Sequence, residues 1–262
     1  MAHKKYTIDD LIDILKRLRG ENGCPWDRVQ THDSIKSCMI EESYEAIDAL
    51  EKGDDKLFAN ELGDLLLQVV FHAQIASERG AFDFDDILYE ICQKMIDRHT
   101  HVFGTDKAQN ESDALGTWEQ NKKREKGLKT QTDAMRDVIR CLPSLIRAEK
   151  VSKKAATVGF DFSDASDALD KAAEEMQELR QAMASNNAEN MEEELGDLLF
   201  SIANTARLLH IESENALRHA TDKFIRRFST LEQLAQQEEK NLSNLTPEAL
   251  EILWQRAKTE KK

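Results

Sequence analysis

The chain has little of what breaks a helix. Its 262 residues include three prolines and ten glycines, and aromatic residues make up 6%. An all-β fold needs frequent turns and strands rich in β-branched and aromatic residues. The scarcity argues against it and leaves an almost wholly helical chain. Basic charge is also short: 36 Lys and Arg stand against 50 Asp and Glu, a formal net charge of −14. Nonspecific binding to nucleic acid or an anionic membrane wants the opposite sign, so neither partner is expected. A small anion held by a cation and a few local bases is still allowed. The four cysteines, Cys24, Cys38, Cys92 and Cys141, show no CxxC spacing and read as buried free thiols of a reducing compartment. Long apolar runs are missing too. The most apolar stretch, 65–76, is broken by Gln68, His72 and Gln74, and the first ten residues hold no apolar signal-peptide core. A soluble, cytoplasmic protein is expected.

What the chain does have is a repeat. Glu-Leu-Gly-Asp-Leu-Leu occurs at 61–66 and again at 194–199. Upstream of each copy lies a Glu-Glu-x-x-Glu cluster, Glu41, Glu42 and Glu45 in one half and Glu174, Glu175 and Glu178 in the other. Both elements recur at one offset of 133 residues, so a unit is duplicated in tandem. The expected organisation is a helical unit over 1–104, a polar, partly helical connection over 105–134, and a second helical unit over 135–262. Thr7 with Asp10 predicts a capped first helix, and Gly20 to Asp27 reads as a loop. Further helices are predicted near 33–52, 55–79 and 84–99, then 143–156, 164–185, 188–210 and 212–239. Thr246-Pro247 starts a last one.

Residues three and four apart share a helix face. Glu175 with Glu178 and Glu194 with Asp197 therefore face the same way in pairs, as do Glu42 with Glu45 and Glu61 with Asp64. Packing two such helices together converges four carboxylates, which repel unless a hard cation sits among them. Oxygen-only ligation suits Mg²⁺ or Mn²⁺, held through carboxylates and substrate phosphates. A solvated acidic face is the plain alternative, but it leaves the recurrence and the leucine neighbours unexplained. Acids embedded in Leu62, Leu65, Leu66 and Leu67 point inward or into a cleft, where lone charges are costly. Gly63 and Gly196 beside them predict close approach of a neighbouring helix. A di-iron bundle also uses inward carboxylates, but needs Glu-x-x-His pairs, and none of the seven histidines has a Glu three residues before it.

A triphosphate site needs cations besides the metal. Lys223 and Arg227 share a helix face, Lys94 and Arg98 echo them, and Lys171 lies one turn before Glu175. On helices such residues are more often solvated or paired with Glu. Trp254 reads equally as a base-stacking surface or a buried anchor.

These acidic patterns resemble the all-α nucleoside triphosphate pyrophosphohydrolases of the MazG family. Gly-Cys-Pro-Trp-Asp (23–27), Arg-His-Thr-His-Val-Phe (98–103), Trp-Glu-Gln (118–120), Val-Gly-Phe-Asp (158–161) and Lys-Phe-Ile-Arg-Arg-Phe (223–228) extend the likeness over nearly the whole chain. Thr100 departs from it, standing where a proline is common. The resemblance implies Mg²⁺-dependent hydrolysis of a nucleoside triphosphate to the monophosphate and pyrophosphate, in a homodimer, mainly by the second unit. It implies that Glu175, Glu178, Glu194 and Asp197 hold the metal. It also implies that Lys171, Glu175, Glu193, Asp197, Lys223, Arg227 and Trp254 contact nucleotide. Glu178 and Glu193 are the candidate bases. Glu42, Glu45, Glu61 and Asp64 form a second candidate metal site in the first unit. Consistent with unequal roles, Cys38 stands where the second unit has Lys171, and Ala59 and Asn60 where it has Glu192 and Glu193. The competing function is a non-catalytic nucleotide-binding or regulatory helical protein.

Overall fold

A computed structural model describes residues 5–259; the first four of the ten N-terminal residues searched above for an apolar core lie outside them. Every regular element among the described residues is a helix, and none is long and apolar enough to cross a membrane. The chain divides between Glu125 and Lys126 into two compact units. The first contains α1 (Ile8–Arg19), α2 (Pro25–Val29), α3 (Lys36–Lys52), α4 (Asp55–Glu78), α5 (Phe84–Arg98), α6 (Thr100–Phe103) and α7 (Glu111–Glu125). The second contains α8 (Gln131–Arg136), α9 (Ser144–Ala156), α10 (Ala165–Ala184), α11 (Ala188–Leu208), α12 (Ser213–Gln237), a 3₁₀ turn (Leu242–Asn244) and α13 (Pro247–Thr259).

The centre of each unit is a helical hairpin, α3 on α4 and α10 on α11. Short connections and strong caps enforce it. α3 ends at Gly53 in the left-handed region (φ 68°), and the Asp54 side chain then accepts from the Lys56 and Leu57 amides to start α4. In the second unit the position 133 residues later is Asn186, also left-handed (φ 53°), and Asn187 caps α11 by accepting from the Asn190 amide. Gly and Asn are the residues that reach this conformation at least cost. Such hairpins bring their paired helices together antiparallel. Thr7 and Asp10 form the predicted capping box at α1.

The two units bury different things. In the first, Leu15, Ile35, Val70, Phe71, Ile75 and Phe84 make a core under the hairpin. In the second, the large buried side chains Leu231, Leu234 and Leu253 join α12 to α13. The fully buried apolar residues of α10 and α11 are Ala168, Ala172, Ala182 and Ala203. The second hairpin is thus an alanine seam with acids in it, and large apolar side chains lie outside the seam.

Three expectations need correction. The segment read as a loop over 20–27 becomes helical at Pro25, because proline suits a first helical position and Pro25 opens α2. Cys92 and Cys141 are exposed, and Cys24 and Cys38 half-buried, although all four thiols are free; the apolar residues on the face of Cys92, Leu88, Met95 and Ile96, are exposed with it. Gly63 and Gly196 do not mark a close helix approach: a methyl group built on either meets nothing within 4 Å. Within the segment 105–134, α7 packs on α5 and α6, and α8 packs on α9.

Candidate metal and nucleotide site

In the second hairpin, α10 supplies Glu175 and Glu178 one turn apart, and α11 supplies Glu194 and Asp197 in the same way. One carboxylate oxygen from each of Glu175, Glu194 and Asp197 lies within 4.8 Å of the other two. Glu175 is the deepest of them at 5% exposure. A buried carboxylate is costly unless paired, and Lys171 provides the pairing: its Nζ lies 2.9 Å from Glu175 Oε1 and 3.0 Å from Glu174 Oε1. Hydrogen bonds to Glu175 and then Glu174 hold the Lys171 ammonium above its ordinary range. Glu178 is pushed up instead, first by its hydrogen bond with Glu175, then by burial and the charges of Glu194 and Glu175, against Lys171. The carboxylates repel one another, and a hard divalent cation among the same oxygens would relieve that repulsion, so the donor set fits one. Glu193 is exposed, and at 3.6 residues per turn it projects about 100° round α11 from Glu194.

The first hairpin repeats the core of this arrangement. Oxygens of Glu42, Glu45 and Glu61 lie within 4.8 Å of one another, and Glu61 is buried at 8% exposure. Burial, then the charges of Asp64 and Glu45, raise the Glu42 carboxyl above its usual range; the Gln68 amide, 3.5 Å away, acts in the opposite direction. Asn60 donates to Asp64 at 3.2 Å. What is missing is the cation: Cys38, in place of Lys171, packs against the apolar core.

The units differ most in the space beside the acids. In the second, Lys171, Glu175 and Asp197 border a cavity of about 530 Å³ whose other walls include Phe160, Phe162, Phe200 and Asn204. That is the size and mixed lining of a small-molecule site, which is typically ~300–1,000 Å³. Gly159, left-handed at φ 83°, turns the chain after α9 and leaves Phe160 81% exposed at the cavity edge. The first unit has a cavity of about 310 Å³, but it is lined by α1, α4 and α5 residues such as Asp13, Lys16, Gln74 and Asp85, not by its acids.

The remaining sequence candidates are placed elsewhere. Lys223 and Arg227 lie on α12, and Trp254 on α13 packs half-buried against Phe224 with ring centroids 5.1 Å apart. None of the three lines the cavity beside Glu175. Lys94 and Arg98 are taken up in ion pairs, with Glu90 at 3.5 Å and Glu125 at 2.8 Å.

Among known families, the chain matches the MazG nucleotide pyrophosphohydrolase domain twice, over residues 30–103 and 163–231. It belongs to the MazG family. The two matched segments contain the two acidic hairpins. The chain is 42% identical over 258 residues to the nucleoside triphosphate pyrophosphohydrolase/pyrophosphatase MazG of Thermotoga maritima, covering 98% of both chains. It is 44% identical to the nucleoside triphosphate pyrophosphohydrolase of Escherichia coli K12, covering 96% of this chain and 97% of that one. It is also 45% identical to the uncharacterized protein YabN of Bacillus subtilis, over 94% of this chain and 50% of that protein.

Sequence reasoning passed over Ser152, Phe162 and Asn204, all cavity residues, and met Phe160 only within the Val-Gly-Phe-Asp motif. One signal was available. Phe200, Ser201 and Asn204 follow Asp197 at intervals of three, four and seven, so they continue its face along α11. Nothing in the sequence linked α9 or the 157–164 loop to that face.

Proposed function

We propose that this MazG-family chain is a nucleoside triphosphate pyrophosphohydrolase, converting NTPs or dNTPs to the monophosphate and pyrophosphate with Mg²⁺. We propose the second unit as the principal catalytic one. The observation that carries this reading is the joining of Glu175, Glu194 and Asp197, with Lys171, to a cavity of nucleoside size. The family match and the printed activities of the T. maritima and E. coli relatives support it.

The parts divide the work as follows. Glu175, Glu194 and Asp197 would hold the cation, which when bound would neutralise phosphate charge that repels a nucleophile. Lys171, fixed by Glu175 at the cavity border, meets the triphosphate with a permanent positive charge. The α10–α11 cleft positions a water against the α-phosphorus. The new P–O bond forms there as the bond to the β-phosphate bridging oxygen breaks, and pyrophosphate leaves. Glu178 is the better-placed base for the water's proton: in its ionised form it stands beside the three-carboxylate set, and the hydrogen bond with Glu175, burial and the charges of Glu194 and Glu175 make it more basic than an ordinary carboxylate; Glu193 is the other candidate. Lys223, Arg227 and Trp254 lie outside the cavity lining, and we assign their nucleotide contacts to the assembled homodimer. A cytoplasmic setting accords with four free thiols.

Chromatography of the products decides the reaction. Monophosphate and pyrophosphate, formed with Mg²⁺ and abolished by EDTA, are expected. A diphosphate with orthophosphate, or activity unchanged by EDTA, refutes it. Binding of an uncleaved triphosphate would instead favour the non-catalytic module.

A further inference from the structure

The cavity beside the acids contains polar side chains that the hydrolysis itself does not use. Asn204 on α11 is 6% exposed and Ser152 on α9 is 7% exposed, and both line the cavity. The Ser152 hydroxyl is buried without a hydrogen-bond partner among the described residues. A buried polar group left unpaired is costly, so such a group at a cavity wall points to a ligand that pairs it.

Asn204 is more specific, because its orientation is fixed. Arg207 Nε donates to Asn204 Oδ1 at 2.8 Å. A guanidinium has only donors, so the oxygen of the amide must face it and the NH₂ must face away. Arg207 is itself anchored by Asp161, the residue after Phe160 in the loop that edges the cavity. The Asp161–Arg207–Asn204 relay therefore leaves the amide NH₂ as the free end of Asn204. No protein partner accepts from that NH₂ among the described residues.

Position along α11 says what part of a nucleotide the NH₂ meets. Asn204 stands seven residues, about 10 Å of helix rise, beyond Asp197 on the same face. With the triphosphate at the acids, that separation carries the sugar past Lys171 and brings the base to the phenylalanine-walled end.

Resting on the pyrophosphohydrolase reading above, we propose that Asn204 is the base-reading residue. Its NH₂ donates to the exocyclic group at purine C6 or pyrimidine C4, and so favours 6-oxopurine and 4-oxopyrimidine nucleotides over their amino counterparts. Arg207 and Asp161 are positioning residues for it. The first unit has no equivalent. The residue 133 positions earlier is Phe71, which is buried in the core, and Arg19 lies 5.4 Å over its ring.

Asn204→Asp tests the proposal by reversing the polarity. One carboxylate oxygen keeps Arg207, and the other now accepts where the amide donated. The readout is the ratio of kcat/KM for ITP to that for ATP, with binding of the α,β-methylene analogues of both measured in parallel. The wild type should prefer ITP, Asn204→Ala should bring the ratio toward one, and Asn204→Asp should invert it, a change of at least ~10-fold for one exchanged hydrogen bond. Circular dichroism on each variant checks folding, and the within-variant ratio is insensitive to the amount of active protein. A wild-type ratio near one, or a ratio that Asn204→Asp leaves unchanged, overturns the proposal. If neither triphosphate is cleaved but the analogue preference still inverts, base reading stands and the catalytic reading falls.

Discussion

Glu175 carries two burdens: it is the most buried acid of the second cluster and the partner of Lys171. Replacing it by Gln removes a cation-ligand charge and leaves the Lys171 ammonium with only the more exposed Glu174. Glu175→Gln should therefore lower kcat by at least ~10²-fold, the scale of one lost, well-placed electrostatic group. Glu42→Gln, in a cluster without a lysine, should cost far less in a steady-state assay of the full chain. Equal losses would refute the unequal roles. A different pair of residues sets a pH dependence in the first unit. The Nδ1 atoms of His32 and His72 lie 2.7 Å apart in stacked rings, so one ring donates and the other accepts. Burial, then the charge of His32, depress His72 below the ordinary histidine value of 6.5. The unfolded chain thus binds this proton more readily than the folded one. The stability is present in full above about pH 6.5 and is lost as pH falls through the folded-state value. Urea midpoints at pH 7.5 and 5.5 should show a smaller fall for His72→Gln than for the wild type; identical falls would remove His72 as a cause.

At the scale of elements, legibility followed the hairpins. The cap at Thr7 and the paired acids were readable because helix signals are local: one side chain, one turn, one face. Cys38 against Lys171 was readable because the repeat supplies its own alignment. The cavity was not, because it is made between the α10–α11 hairpin, α8, α9 and the loop at 157–164, and single-chain periodicity carries no information on which elements meet. The two mid-helix glycines show the same limit. Their proximity to the acids invited a packing explanation, yet a methyl group meets nothing at either site. A glycine inside a helix costs roughly 1 kcal/mol relative to alanine. Gly63→Ala should therefore raise the urea midpoint, by up to about that amount in free energy. A lowered midpoint would mean that something not within this chain packs on that face.

At the scale of the whole molecule, the unfinished part is the outer face of α11. Asp197, Ser201 and Asn204 follow one face; Leu195, Leu199 and Ile202 follow the opposite one, and these three are 47%, 49% and 43% exposed. Phe224, Ile225 and Phe228 on α12 are also exposed. A stripe of large exposed apolar side chains over an alanine-lined hairpin is the kind of surface that marks an association site. Lys223 and Arg227, which the cavity does not reach, share α12 with those phenylalanines, and Trp254 on α13 packs against Phe224. A homodimer that covers these faces accounts for both facts, since association would bury the stripe and bring a second set of cations toward each acidic cleft. Sedimentation at micromolar concentration should give about twice the chain mass. Leu199→Asp is the sharper test. In an isolated chain a charge at a half-exposed position costs little, whereas in a covered interface an unpaired carboxylate is expensive. The variant should therefore become monomeric while keeping its helical circular dichroism, and lose pyrophosphate release with the partner. A Leu199→Asp chain that stays dimeric would place the interface elsewhere, and a monomer with full activity would show that one chain completes the site.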